Sequence, residues 1–121
     1  MFLSEILSLL EAEKVGKGEH LSVEIGCAFA SDLMSDVLAL ASPGSLLITG
    51  LTNIQIVRTA SMLDMPGVVF VRGKRPAKET IELADKMGLP IILTNKTMFE
   101  TCGILYAAGI KSCFCPKRSG Q

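Results

Sequence analysis

Three short apolar runs organise this chain, each closed by a polar cluster and each followed by a helical stripe. The runs are Leu46-Leu47-Ile48, Val68-Val69-Phe70-Val71 and Ile91-Ile92-Leu93. The clusters are Thr49-Gly50-Leu51-Thr52-Asn53, Arg72-Gly73-Lys74-Arg75 and Thr94-Asn95-Lys96-Thr97. Short apolar runs bounded by turn residues read as strands buried on both faces. The stripes that follow are Ile56, Val57, Ala60 and Leu63, then Ala77, Ile81 and Ala84, then Phe99, Cys102, Gly103 and Tyr106. Strands alternating with helices of this length call for right-handed β-α-β crossovers and a parallel sheet.

Upstream, Val23 to Ala30 reads as a further strand, and Ser31 is placed to cap a helix carrying Leu33, Met34, Val37, Leu38 and Ala41. Leu3, Ile6, Leu7 and Leu10 form an opening helical stripe with Ser4 as its cap. Lys14 to Glu19 reads as a turn around a short strand, with Gly16 and Gly18 breaking the helix. Pro43-Gly44 and Pro66-Gly67 are turns. Asn53 caps one helix, Pro76 suits the first turn of the next, and Gly88 stands where a left-handed C-cap belongs. Thr97 and Glu100 have capping-box spacing, and Gly109 ends that helix. Glu82 and Lys86 stand at the favourable i,i+4 spacing. Gly103, inside the last helix, costs about 1 kcal/mol relative to Ala, so a close contact, internal or across a dimer, is expected there. The predicted fold is a three-layer α/β domain over residues 1–112. Its mainly parallel sheet holds strands ending at Ala30, Thr49, Val71 and Thr94, with helices on both faces. Residues 113–121 read as a short C-terminal tail.

Composition narrows the function. The 121 residues are 49% hydrophobic, with no Trp and a single Tyr. Mean hydropathy is +0.44. No apolar run approaches the ~18 residues of a membrane span, and no export signal opens the chain. The apolar excess points instead to a buried parallel sheet and a homodimer interface. Twelve basic and twelve acidic residues leave no net charge. Without basic excess or stacking aromatics, nucleic acid is not an expected partner. The four cysteines, Cys27, Cys102, Cys113 and Cys115, are expected as reduced thiols in a cytoplasmic protein.

The chemistry-bearing candidates are the strand-end clusters, because open parallel sheets bind ligands outside the carboxyl ends of their strands. Asn53 and Thr97 mark helix starts whose free N–H groups favour anions. Arg72, Lys74, Arg75 and Lys96 add positive charge. The expected ligand is a phosphate, nucleotide or carboxylate metabolite, held by Thr49, Gly50, Thr52, Asn53, Arg72, Lys74, Thr94 and Asn95. Ordinary capping and solvated loop charge would also explain these residues. Neither a P-loop nor a Gly-x-Gly-x-x-Gly fingerprint follows any strand. Ser31-Asp32 and Ser35-Asp36 offer metal or acid-base pairs, but a helix cap at Ser31 and a solvated first turn rich in Asp explain them without chemistry. His20, beside Glu19, reads as a surface histidine with no adjacent nucleophile. Cys113-Phe114-Cys115 offers two thiolates that Cys27 and Cys102 would complete into a zinc or iron-sulfur set. Against this, Cys27 in a strand and Cys102 on an apolar stripe read as small buried hydrophobes. No cofactor, no metal and no catalytic set is expected.

The same residues carry a family resemblance. Leu3-Ser4-Glu5-Ile6, Ala30-Ser31-Asp32-Leu33, Met34-Ser35-Asp36-Val37, Leu47-Ile48-Thr49-Gly50, Gly67-Val68-Val69-Phe70-Val71, Gly88-Leu89-Pro90-Ile91-Ile92-Leu93-Thr94 and Phe99-Glu100 follow one another in order. Over Leu3 to Ile110 the chain resembles the DRTGG domain family, similar in fold to the N-terminal domain of HPr kinase/phosphorylase. The Asp-Arg-Thr-Gly-Gly motif itself is absent, and Gly50-Leu51-Thr52-Asn53 stands in the corresponding loop. The resemblance implies a non-catalytic regulatory or ligand-sensing module, found alone or fused to kinase, CBS or acetyltransferase domains. Short stand-alone relatives are described as iron-sulfur-binding or hydrogenase-associated, which implies the alternative of a structural interaction protein in a redox assembly. Without a P-loop, kinase activity does not carry over.

Overall fold

The apolar runs form the middle of a six-stranded sheet. The structure is a computed structural model that describes residues 1–17 and 21–113. Its elements run α1 (Leu3–Leu10), β1 (Glu13–Val15), β2 (Cys27–Ala30), α2 (Met34–Leu40), β3 (Leu46–Thr49) and α3 (Ile54–Met62). They continue as β4 (Val68–Phe70), α4 (Lys78–Met87), β5 (Ile91–Leu93), α5 (Met98–Ala107) and β6 (Lys111–Ser112). The spatial order is β1-β5-β4-β3-β2-β6. β2 to β5 pair in parallel, as the crossover pattern requires, with Ala30 opposite Ile48, Thr49 opposite Phe70, and Phe70 opposite Leu93. β6 adds a parallel edge to β2, and β1 an antiparallel edge to β5.

Strand alternation splits the core in two. Leu46, Ile48, Val69, Val71 and Ile92 face α1 and α5, where Leu3, Ile6, Leu10 and Leu105 meet them. Leu47, Val68, Phe70, Ile91 and Leu93 face the other way, against Val37 of α2, Ile56 and Val57 of α3 and Ala84 of α4. Both faces of the central strands are therefore buried, which is why their sequences run apolar without a break.

Several local expectations change. Ser4 lies inside α1. The N-cap is Phe2, whose N–H donates to Glu5 Oε1 at 2.7 Å. Ser31 does not cap α2, which starts after Leu33. Its hydroxyl accepts from the Leu33 N–H at 3.0 Å in a turn ahead of the helix. Pro76 precedes Ala77, the cap of α4, and Ala77 is exposed. The larger correction concerns α5. Its expected inner stripe faces outward in part, with Phe99 89% and Tyr106 75% exposed. Thr101 and Leu105 are buried in its place. The space beside Gly103 is open among the described residues, so no contact with them explains that residue.

The cysteines bring a further correction. Cys27 and Cys113 form a disulfide, their Cα atoms 5.0 Å apart, and are not free thiols. The parallel pairing of β6 with β2 causes this proximity, since it sets Ala28 opposite Ser112, and the Cys113 N–H donates to the Ala28 carbonyl at 2.9 Å. Cys102 stays free, and burial pushes its thiol pKa up. Among the described residues no three His, Cys, Asp or Glu side chains converge as a metal site, and no helix is long and apolar enough to cross a membrane. Glu19, His20, Cys115 and the rest of the tail, residues 114–121, lie outside the described residues.

Candidate ligand-binding site

Parallel strands end on one edge, so the residues following β2, β3, β4 and β5 share it. α4 follows β4 on one face of the sheet, and α5 follows β5 on the other. The chain thus changes face between two neighbouring strands, and the crevice of an open α/β sheet falls at such a switch. Backbone bridges the crevice here. The Arg72 N–H donates to the Lys96 carbonyl and the Gly73 N–H to the Thr94 carbonyl, both at 2.8 Å. Gly73 has a φ of +67°, and a Cβ on it would come within 2.6 Å of Asn95 Oδ1. Asn95 therefore lies directly over the Gly73 backbone.

One strand further, the end of β3 builds the densest polar arrangement. Thr49 is fully buried, and its hydroxyl donates to Asp32 Oδ1 at 2.9 Å while accepting from the Leu51 N–H at 3.2 Å. The Gly50 N–H donates to the same Asp32 oxygen at 2.7 Å. A Cβ on Gly50 would lie 2.9 Å from Arg72 Nη2 and 3.6 Å from both Asp32 oxygens. The Arg72 guanidinium and the Asp32 carboxylate thus both approach the open side of Gly50, where a side chain would stand. They form no ion pair with each other, and Asp32 Oδ2 has no hydrogen-bond partner among the described residues. Arg72 is held with a φ of +61°, a left-handed conformation that L residues rarely adopt.

The other expected residues divide clearly. Thr94 is buried, its hydroxyl donating to the Leu10 carbonyl at 2.9 Å and accepting from the Lys96 N–H at 3.3 Å. Thr52 offers its carbonyl to the Thr80 hydroxyl at 3.4 Å. Asn53 caps α3, its Oδ1 accepting from the Ile56 N–H at 3.3 Å. α3 has no acidic residue in its first turn, so its positive end faces solvent uncompensated. The start of α5 is closed. Glu100 accepts there from the Thr97 N–H at 2.9 Å and the Thr97 hydroxyl at 3.1 Å. Those bonds, with a smaller pull from Lys96, hold the Glu100 carboxyl below its usual range. Of the loop cations, Arg75 pairs with Glu13 at 2.6 Å and Lys96 with Glu11 at 3.2 Å. Arg72 and Lys74 have no carboxylate partner among the described residues.

Sequence reasoning missed Asp32, which it assigned to a solvated turn. The available signal was topological: Asp32 follows β2, so it belongs to the same edge as the three clusters that follow β3, β4 and β5.

Fold and site together define a small α/β domain of the open-sheet type, with a charged strand-end crevice. The chain belongs to the DRTGG domain family, whose model matches residues 5–108. It is also similar to a solved structure of the CBS and DRTGG domains of the regulatory region of Clostridium perfringens pyrophosphatase, complexed with its activator, diadenosine tetraphosphate. That match has 24% sequence identity and a TM-score of 0.73, and it covers 97% of this chain and 51% of the other. The chain thus spans about half the length of that protein chain, and the likeness establishes the fold. No curated protein sequence matches.

Proposed function

We propose that this domain is a non-catalytic regulatory module, acting as a homodimer, that binds an anionic small molecule of nucleotide type at the carboxyl ends of β3 and β4. One observation carries the reading: Asp32 and Arg72 both approach the open side of Gly50, where a Cβ would stand, and each keeps hydrogen-bonding capacity that no described residue uses. A guanidinium recognises phosphate through paired N–H donors. A free carboxylate oxygen accepts from a sugar hydroxyl or an amino group, and it repels a bare anion. The pair therefore selects a ligand that carries an anion and hydrogen-bond donors together, as nucleotides do. Lys74 and the open start of α3 add positive potential. A dinucleotide activator of this chemical type accompanies the structurally similar pyrophosphatase region.

The Thr49 hydroxyl is fully buried and holds Asp32 and Leu51, so it positions the site and does not react. A ligand bridging Asp32 and Arg72 would draw together the loops after β2 and β4. Its differential affinity for that closed arrangement is what shifts a dimer or partner interface.

The test is calorimetric titration of AMP, ATP, diadenosine tetraphosphate and orthophosphate into wild type, Asp32→Asn, Asn53→Ala and Arg72→Ala. The reading expects at least one nucleotide to bind more tightly than orthophosphate, with a loss of tenfold or more in Asp32→Asn and in Arg72→Ala. Should Asn53→Ala and Arg72→Ala leave every measured affinity unchanged, the site assignment is wrong.

A further inference from the structure

The Cys27–Cys113 disulfide lies at the rim of the sheet, and the core closes without it. Neither cysteine belongs to either of the two apolar clusters that bury β3, β4 and β5. What the disulfide holds is β6. That strand has two residues, Lys111 and Ser112, and both are exposed. The Lys111 N–H donates to the Gly26 carbonyl at 3.0 Å, and the Cys113 N–H to the Ala28 carbonyl at 2.9 Å. The net gain from a backbone hydrogen bond is of the same order as the entropy lost in ordering the residue that makes it. Pairing this short is therefore near balance, and the covalent link decides whether β6 stays docked. Just upstream the chain is fixed independently. Ile110 is 5% exposed in the core, and its N–H donates to the Leu105 carbonyl at 3.0 Å. Residues 111–113 can thus leave β2 without disturbing α5.

We propose that Cys27 and Cys113 form a reversible redox latch. Oxidised, it holds β6 on β2; reduced by a dithiol, it lets β6 go while the parallel strands β2 to β5 stay folded. Cys27 is partly exposed and Cys113 is buried, so the incoming thiolate meets the Cys27 Sγ first. A mixed disulfide forms on Cys27, the Cys27–Cys113 bond breaks, and Cys113 leaves as a thiolate that takes a proton from water. The second thiol of the reductant then displaces Cys27 in the same way. Two electrons have passed to the protein, and the reductant is left as its own disulfide. Exchange with an oxidised disulfide runs the steps backward, and the docked strand returns the two Cα atoms to 5.0 Å. Cys102 takes no part, because burial raises its thiol pKa and the thiolate is the exchanging form.

Release changes the surface the domain presents. The outer edge of β2 loses its partner and exposes a row of N–H and C=O groups. Lys111 and Ser112 also leave the wall of an apolar groove of about 400 Å³, which they share with Cys102, Leu105 and Tyr106.

Amide hydrogen exchange, read residue by residue by NMR on the full chain, tests the latch. A Cys102→Ser/Cys115→Ser background leaves only the proposed pair. Dithiothreitol is the probe dithiol, and oxidised glutathione reverses it. The expected result is that dithiothreitol opens the disulfide without denaturant. The Lys111 and Cys113 amides should then exchange about tenfold faster or more, and the Leu47 and Val68 amides should keep their protection. Oxidised glutathione should restore the first pattern. Unchanged protection at Lys111 and Cys113 in the reduced protein overturns the proposal. So does loss of protection at Leu47 and Val68 as well, which would make the bond a staple of the whole fold. A disulfide that opens only in denaturant, or protection that does not return on oxidation, overturns it too. Cys27→Ser/Cys113→Ser should show the reduced pattern with no reductant present. Should the serines disturb folding, the reduced cysteine protein decides the matter by itself.

Discussion

Arg72 is the residue at which backbone strain and the proposed binding site meet. Its φ of +61° is a conformation that glycine adopts freely, and holding another residue there costs on the order of 1–3 kcal/mol. That strain aims the guanidinium back over Gly50. Replacing Arg72 with Gly is therefore expected to stabilise the fold by about 1 kcal/mol while abolishing nucleotide affinity, a combination that thermal melts and calorimetry read together. Gly50 offers the complementary test. Its added Cβ would meet the far end of a flexible side chain, Arg72 Nη2 at 2.9 Å, which can swing aside. Gly50→Ala should leave the melting temperature nearly unchanged and weaken nucleotide binding. A binding isotherm identical to wild type would show that the Gly50-Arg72 contact plays no part in recognition.

At the scale of the element, α3 and α5 start alike and end up different. Asn53 caps the first and leaves its positive end open. Glu100 closes the second with a carboxylate held below its usual pKa by the Thr97 N–H and hydroxyl. A lowered pKa means that this contribution is complete above the ordinary glutamate value of 4.5 and is lost as pH falls through the lowered value. Glu100→Gln should accordingly flatten the acid side of the stability profile, measured as denaturation midpoints between neutral pH and acid. Thr97→Ala should cost about 1 kcal/mol by removing the cap. α5 also shows why a helical stripe is ambiguous. Apolar and small residues surround it on all sides, so the stripe Phe99, Cys102, Gly103 and Tyr106 is as regular as the side that is buried. The buried side includes Thr101, whose hydroxyl has no hydrogen-bond partner among the described residues. Thr101→Val, which keeps the shape and removes the unpaired group, is expected to be neutral or stabilising in the same melts.

For the molecule as a whole, the Cys27–Cys113 disulfide ties positions 86 residues apart, nearly the full span of the domain. A link this long constrains the unfolded chain strongly, and removing it is expected to cost about 2–4 kcal/mol. β6 has only two residues paired to β2, so its docking depends on that link more than any central strand does. Melting curves with and without reductant, and of the Cys27→Ser/Cys113→Ser double variant, measure the effect. Equal curves would mean that strand pairing alone holds the edge.

The central strands and the caps were legible in the amino-acid sequence because their causes are local. A strand buried on both faces must be an unbroken apolar run, and Asn53, Gly88 and Thr97 act within four residues of themselves. The strand-end edge was legible too, since parallel strands following one another must end together. Strand order was not, and everything that depends on it came from the tertiary structure. It brings β6 beside β2 and so pairs Cys27 with Cys113. It brings the loop after β2 against Gly50, so that Asp32 joins the candidate site. It buries the Thr94 hydroxyl against the end of α1. It also decides which side of α5 meets the sheet, leaving Phe99 and Tyr106 outside. Each of these is a contact between residues distant in the chain, and no local pattern of polar and apolar positions encodes which distant segments become neighbours.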